Sequence, residues 1–145
     1  MQKLPSLLRT LVLTLFVAAP IAALADMPGE GDRETIRTMI RNQIDAFHHD
    51  DGVAAFSHAS REIQQLFSNP THFMSMVQRG YPAVYRARSV TFGSLIDGGG
   101  VLLQKVFLVG PSGKSWLAAY LVERQDDGSW RINGVQVVPD RGSLI

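Results

Sequence analysis

The chain has 145 residues, 46% of them hydrophobic and 19% charged, with a formal net charge of +1 and no cysteine. Without cysteine there is no disulfide scaffold, thiol nucleophile or thiolate zinc site. The near-neutral balance leaves no basic stripe of the kind that nucleic-acid phosphates require.

Residues 1–25 read as a secretory signal peptide. Lys3 and Arg9 precede an apolar run from Leu11 to Ala19, and Ala23-Leu24-Ala25 supplies the small-x-small end. The run falls short of the roughly 20 apolar residues that a membrane span needs, and Pro20 breaks it. Cleavage is expected between Ala25 and Asp26, leaving a periplasmic or secreted chain of 120 residues with no stable membrane anchor. Twelve basic residues then face thirteen acidic ones, a formal net charge of −1. One domain of this size buries roughly two-thirds of its unfolded surface and needs no staples.

Residues 26–31 read as a mobile Pro/Gly-bearing leader, and 32–145 as a single domain. Asp32 is the expected N-cap of a first helix. Ile36, Ile40, Ile44 and Phe47 recur at helical spacing to about His49, with Met39 and Gln43 beside them. Arg33, Arg37 and Arg41 line another, solvated face. Asp51 is expected to cap a short helix, Val53 to Ala59, that buries Val53 or Ala54 together with Phe56. A further turn or two runs from Arg61 to Phe67, with Ile63, Leu66 and Phe67 inward. Asn69-Pro70 is a strong helix start, Phe73, Met74, Met76 and Val77 form its apolar side, Gly80 suits a left-handed C-terminal position, and Pro82 stops continuation.

The second half reads as strands. Val84–Ile96, Val101–Val109, Trp116–Glu123 and Trp130–Val138 are separated by Gly- and Asp-rich turns, which implies sequential antiparallel hairpins. The fold class is therefore α+β, with amino-terminal helices packed on one face of a curved, four-stranded antiparallel sheet.

Several patterns invite chemistry. Gly110-Pro111-Ser112-Gly113-Lys114-Ser115 resembles the tail of a phosphate-binding loop, but Leu108 occupies the position of the first glycine, so it reads as a hairpin turn. His48-His49-Asp50-Asp51, with His58 or His72, offers metal-ligating types. Adjacent helical residues point about 100° apart, however, so the histidines read as a helix end and the aspartates as caps, with no metal assigned. Asp45 and His49 are the weak candidates for a general base, provided one of them projects into a cavity. Gly80-Tyr81-Pro82-Ala83-Val84-Tyr85-Arg86 is the most distinctive stretch. Tyr81, Tyr85 and Arg86 are candidate ligand-binding residues, with Phe73 and Met76 as an apolar wall. The same residues also suit a rigid corner in which the arginine pairs with an acid.

The strings Ile44-Asp45-Ala46-Phe47, Asp50-Asp51-Gly52, Ala55-Phe56 and Phe73-Met74-x-Met76-Val77-x-x-Gly80-Tyr81-Pro82-x-Val84-Tyr85-Arg86 resemble a family of short exported bacterial proteins that carries a domain-of-unknown-function label. More distantly, the order of elements is similar to the nuclear transport factor 2-like (cystatin-like) architecture. That resemblance implies a bent sheet wrapped around a long helix, with a conical pocket. No strand is read between Phe56 and Pro70, where that architecture often has one, and this implies a smaller or filled pocket.

Neither resemblance implies an activity or a cofactor. The leading expectation is a non-enzymatic domain that binds a small ligand or a protein. The alternatives are an isomerase or lyase using a carboxylate or histidine in the cone, and a homodimer packed sheet on sheet, with Trp116 and Trp130 as candidates for that face that equally suit the core.

Overall fold

The computed structural model describes residues 27–142. The expected cleavage between Ala25 and Asp26 lies outside the described residues. Among the described residues, five helices precede four strands: α1 (Glu30–His48), α2 (Gly52–Ser57), α3 (Arg61–Phe67), α4 (Pro70–Gly80), α5 (Pro82–Tyr85), β1 (Ser89–Asp97), β2 (Leu102–Val109), β3 (Ser115–Arg124) and β4 (Trp130–Pro139). The strands form an antiparallel meander in the order β1-β2-β3-β4. The sheet is curved and unclosed, so the α+β class read from the sequence is the observed one. No helix among the described residues is long and apolar enough to cross a membrane.

The α1 stripe is buried as its spacing requires: Ile36, Ile40, Ile44 and Phe47 are at most 2% exposed. They pack with Val106, Leu108, Ala118, Tyr120, Val122 and Ile132 on one face of the sheet. Curvature comes with a bulge in β1, where register shifts between Phe92 and Leu95. The bulge exposes a carbonyl to the interior. The fully buried Gln104 satisfies it, donating from Nε2 to Gly93 O at 2.9 Å and to Lys105 O at 2.9 Å. The three hairpin turns use glycines at positive φ, namely Gly99 (84°), Gly100 (89°), Gly113 (85°) and Gly128 (84°). The phosphate-loop lookalike at residues 110–115 is the turn between β2 and β3.

Several local expectations are corrected. The N-cap of α1 is Gly29, and Asp32 lies inside the first turn. There its Oδ1 accepts from Arg124 Nη2 at 2.7 Å and from Trp130 Nε1 at 3.1 Å, which holds the helix start on the sheet. Arg41 is not simply solvated, because its guanidinium stacks 5.0 Å from the Phe92 ring centroid. In α2 the buried residue is Ala55, whereas Val53 is 72% exposed. Leu66 in α3 is 71% exposed. Gly80 is the last residue of α4 and does not have positive φ. Pro82 does stop α4, but it also opens α5 as an N-terminal proline, so Val84 is helical and buried and the first strand starts at Ser89.

Two capping expectations are observed. Asp51 accepts from Ala54 N at 3.1 Å, and Asn69 accepts from His72 N at 2.9 Å.

The burial pattern sets a stability contrast. Ile40→Ala should cost about 2–5 kcal/mol in chemical denaturation, whereas Val53→Lys should stay within about 0.5 kcal/mol of the parent. An Ile40→Ala loss below that of Val53→Lys would contradict the assigned core.

Candidate functional site

Between the helices and β4 lies a cavity of about 370 Å³. The C-terminal part of α1 together with α3 and α4 encloses it against β4. Ile132 and Val135 of β4 form the floor, and Phe47 of α1 the inner wall. Ile63, Leu66 and Phe67 of α3 and Phe73, Met76 and Val77 of α4 complete it. Phe73 is the hub of the aromatic wall, with ring centroids 6.2 Å from Phe47, 5.4 Å from Phe56 and 5.8 Å from Phe67. As read from the sequence, no strand forms between Phe56 and Pro70, and this segment makes a single parallel bridge, Ala59 to Ile132. Ser60 N donates to Ile132 O at 2.8 Å and Ser60 Oγ to Asn133 Oδ1 at 2.6 Å, anchoring the start of α3. The rest of α3 contains no buried residue, and the strongly exposed Leu66 marks the mouth.

Two polar side chains line this space, Gln43 and Tyr81. Gln43 falls three residues after Ile40 and four before Phe47, within the buried stripe of α1, and is 2% exposed. Its Nε2 donates to Ala55 O at 3.1 Å, tying α1 to α2 and fixing the amide's orientation. Sequence reading placed Gln43 beside the stripe without assigning it a role. The available signal was a polar side chain at a core-facing helical position, which requires a partner.

The residues expected to bind ligand divide between two places. Tyr81, Phe73 and Met76 line the cavity. Tyr85 and Arg86 do not, because α5 intervenes and carries them to the C-terminal end of α1. There Arg86 Nη2 meets both Asp50 carboxylate oxygens at 2.9–3.0 Å. Arg86 Nη1 donates to Phe47 O at 2.5 Å. The Tyr85 hydroxyl donates to Asp50 Oδ1 and accepts from Gln78 Nε2 at 3.0 Å. The guanidinium also lies 3.9 Å from the Tyr85 ring centroid. This group borders a shallower, more polar hollow with Gly52, Pro70 and Met74.

Asp50 earns its position against its own backbone. Its φ of 52° is left-handed. Asp50 N donates to Phe47 O and Asp51 N to Ala46 O, closing α1 with the C-terminal motif that ordinarily takes glycine. The hydrogen bond from Tyr85, followed by that from Arg86, lowers the Asp50 carboxyl below its usual range.

Neither weak catalytic candidate reaches the cavity. Asp45 and His49 are both exposed on α1, and the His49 ring Nδ1 lies 2.7 Å from Asp45 O. His58, half-buried beside Arg131, is pushed down by desolvation first and by that arginine's charge second, yet it too lies outside the lining. Tyr120 is fully buried, and burial raises its phenol pKa, but it faces the core. Among the described residues no three His, Asp or Glu side chains cluster as metal ligands would.

Fold and site thus define an α+β protein with helices over one face of an open antiparallel meander and an uncharged apolar cavity between them. A family model described as "Domain of unknown function (DUF4864)" matches residues 30–145, and the chain belongs to that family. No curated protein and no solved structure matches the chain.

The Asp50 cluster gives a signed pH prediction. A carboxyl lowered in the folded state stabilises it above its unfolded pKa of about 3.9, and that contribution disappears as pH falls through the folded value. Tyr85 ring resonances should therefore stay constant from neutral pH down to about 5 and move only below about 4. A transition centred above that window would show that the carboxylate is not held by Tyr85 and Arg86.

Proposed function

We propose that this protein is an exported, non-enzymatic binding domain that takes a small apolar ligand in the cavity between α1, α3, α4 and β4. The observation that carries this reading is the cavity of about 370 Å³, which falls in the size range of small-molecule pockets and has few polar contacts. The signal-like pattern of residues 1–25 supports a periplasmic or secreted site of action. The cone formed by the bent sheet and α1 supports the likeness to the nuclear transport factor 2-like architecture. A likeness of fold carries no activity by itself. The isomerase or lyase alternative loses its proposed base, because Asp45 and His49 point into solvent.

Two measurements test this reading. Expressed from its full gene, the protein should be recovered from the periplasm or medium with Asp26 as its first residue by mass spectrometry. An intact precursor in the cytosol would refute export. The neutral dye Nile red should bind with enhanced fluorescence, and Val135→Trp, which places an indole on the cavity floor, should weaken binding at least about tenfold while the thermal transition remains cooperative. Undiminished dye binding by a folded Val135→Trp protein would place the site elsewhere.

A second reading rests on the outer face of the sheet. The alternation that buries Val106 and Ala118 turns Leu103, Phe107, Leu117 and Leu121 outward, where no helix among the described residues covers them. The candidate dimer residues Trp116 and Trp130 pack against the helix-side core, so a sheet-on-sheet homodimer would use the outer leucines and Phe107. Sedimentation equilibrium should then return twice the mature mass, and Phe107→Lys should return a monomer. A monomeric parent at micromolar concentration would dismiss this pairing.

A further inference from the structure

We infer that the cavity selects a neutral, ring-bearing apolar molecule that carries one hydrogen-bond donor, and that Gln43 Oε1 is the acceptor that reads this donor. The inference rests on the binding reading above and goes further by naming the ligand's chemistry. Three observations support it.

The first is charge. No lysine, arginine, histidine, aspartate or glutamate lines the cavity. An anionic or cationic ligand would lose its hydration without gaining a counter-ion, and an isolated charge in an apolar site is disfavoured by far more than a neutral group. Carboxylates, phosphates and ammonium compounds are therefore excluded as the buried part of the ligand.

The second is the acceptor. Nε2 of Gln43 is committed to Ala55 O, which leaves Oε1 as the free end of the amide. That oxygen takes no hydrogen bond among the described residues. It also differs from Gln104 Oε1, which is sealed in the interior without a partner: Gln43 lines the cavity, and its oxygen is not among the sealed, unpartnered atoms. A nearly buried acceptor left unmet is costly, whereas a ligand O–H or N–H would satisfy it. A ligand without a donor, Nile red included, can occupy the apolar space but leaves this acceptor unmet.

The third is shape. Phe47, Phe67 and Phe73 present rings to the same space, with Phe73 tilted or edge-on to its neighbours. Such walls favour a flat ring in offset or edge contact over a flexible chain. Tyr81 is half-buried, its hydroxyl takes part in no hydrogen bond among the described residues, and it lines the same cavity, where it can meet a second polar atom.

A matched set of naphthalenes separates these features. 2-Naphthol is neutral at pH 7 and carries a donor, 2-methoxynaphthalene keeps the ring and loses the donor, and 2-naphthoate adds a charge. Displacement of Nile red from the mature protein should rank 2-naphthol about tenfold tighter than 2-methoxynaphthalene, the factor that one hydrogen bond supplies. 2-Naphthoate should bind at least roughly a hundredfold more weakly than 2-naphthol. Gln43→Met, similar in length, should bring 2-naphthol down to the affinity of 2-methoxynaphthalene, and retained binding of the latter confirms that the variant is folded. Should Gln43→Met not fold, the parent's ranking of the three compounds decides alone. Equal binding of 2-methoxynaphthalene or 2-naphthoate by the parent overturns the selectivity inference and leaves the cavity as a site. Failure of Nile red and all three compounds to bind overturns both.

Discussion

Ile36, Ile40, Ile44 and Phe47 run along one side of α1 into the concave face of the sheet, and the remaining geometry depends on that contact. Burial of side chains of this size is worth about 1.5–3 kcal/mol each, so α1 cannot rotate on the sheet without losing the largest apolar contribution in the fold. The rotation fixes Gln43 inward, because it shares the stripe. It also fixes where the helix ends. The chain reverses at Asp50, and α3 and α4 form a second layer that, with the C-terminal part of α1, encloses the cavity against β4. The cavity lies where this second layer meets β4 imperfectly, under an α3 that is anchored at Ser60 and exposed at Leu66.

The reversal has its own logic. Glycine would adopt the left-handed conformation of residue 50 more readily, yet a glycine there would leave Arg86 and the Tyr85 hydroxyl without their shared carboxylate. The arginine also holds Phe47 O, the carbonyl of the residue whose ring forms the cavity wall. The cluster thus pins the α4–α5 corner to the end of α1. It also sets the positions of Phe47 and Tyr81 relative to each other, although neither Tyr85 nor Arg86 enters the cavity.

Long-period patterns were legible in the sequence. The α1 stripe, the Asn69-Pro70 start and the glycine-marked hairpins each rest on a local rule that tertiary structure did not override. The failures cluster where local rules are weak. In α2 and α3, six and seven residues are too few for periodicity to define a face: the choice between Val53 and Ala54 stayed open, with Ala54 and Phe56 the ones that pack on the core, and Leu66 was turned the wrong way. In the sheet, β2 is apolar on both faces, so alternation could not say which face the helices cover, and it left Trp116 and Trp130 open between an outer face and the core, against which they pack. In the corner, the one-turn α5 separates Tyr81 from Tyr85, and its proline start reads equally well as a helix stop. The site was therefore half visible. Its apolar wall and Tyr81 followed from spacing, whereas Gln43's role depends on Ala55 O, a partner supplied by the following helix.

The account stands on the space between Gln43 and Val135 being a persistent, dry cavity in the folded protein. Apolar cavities of this kind take up xenon. A crystal of the protein under xenon pressure should show the gas ringed by Phe47, Phe73, Val77 and Val135 with the surrounding helices unmoved. A structure with no xenon there, and with Phe73 or Met76 swung in to fill the space, would contradict it.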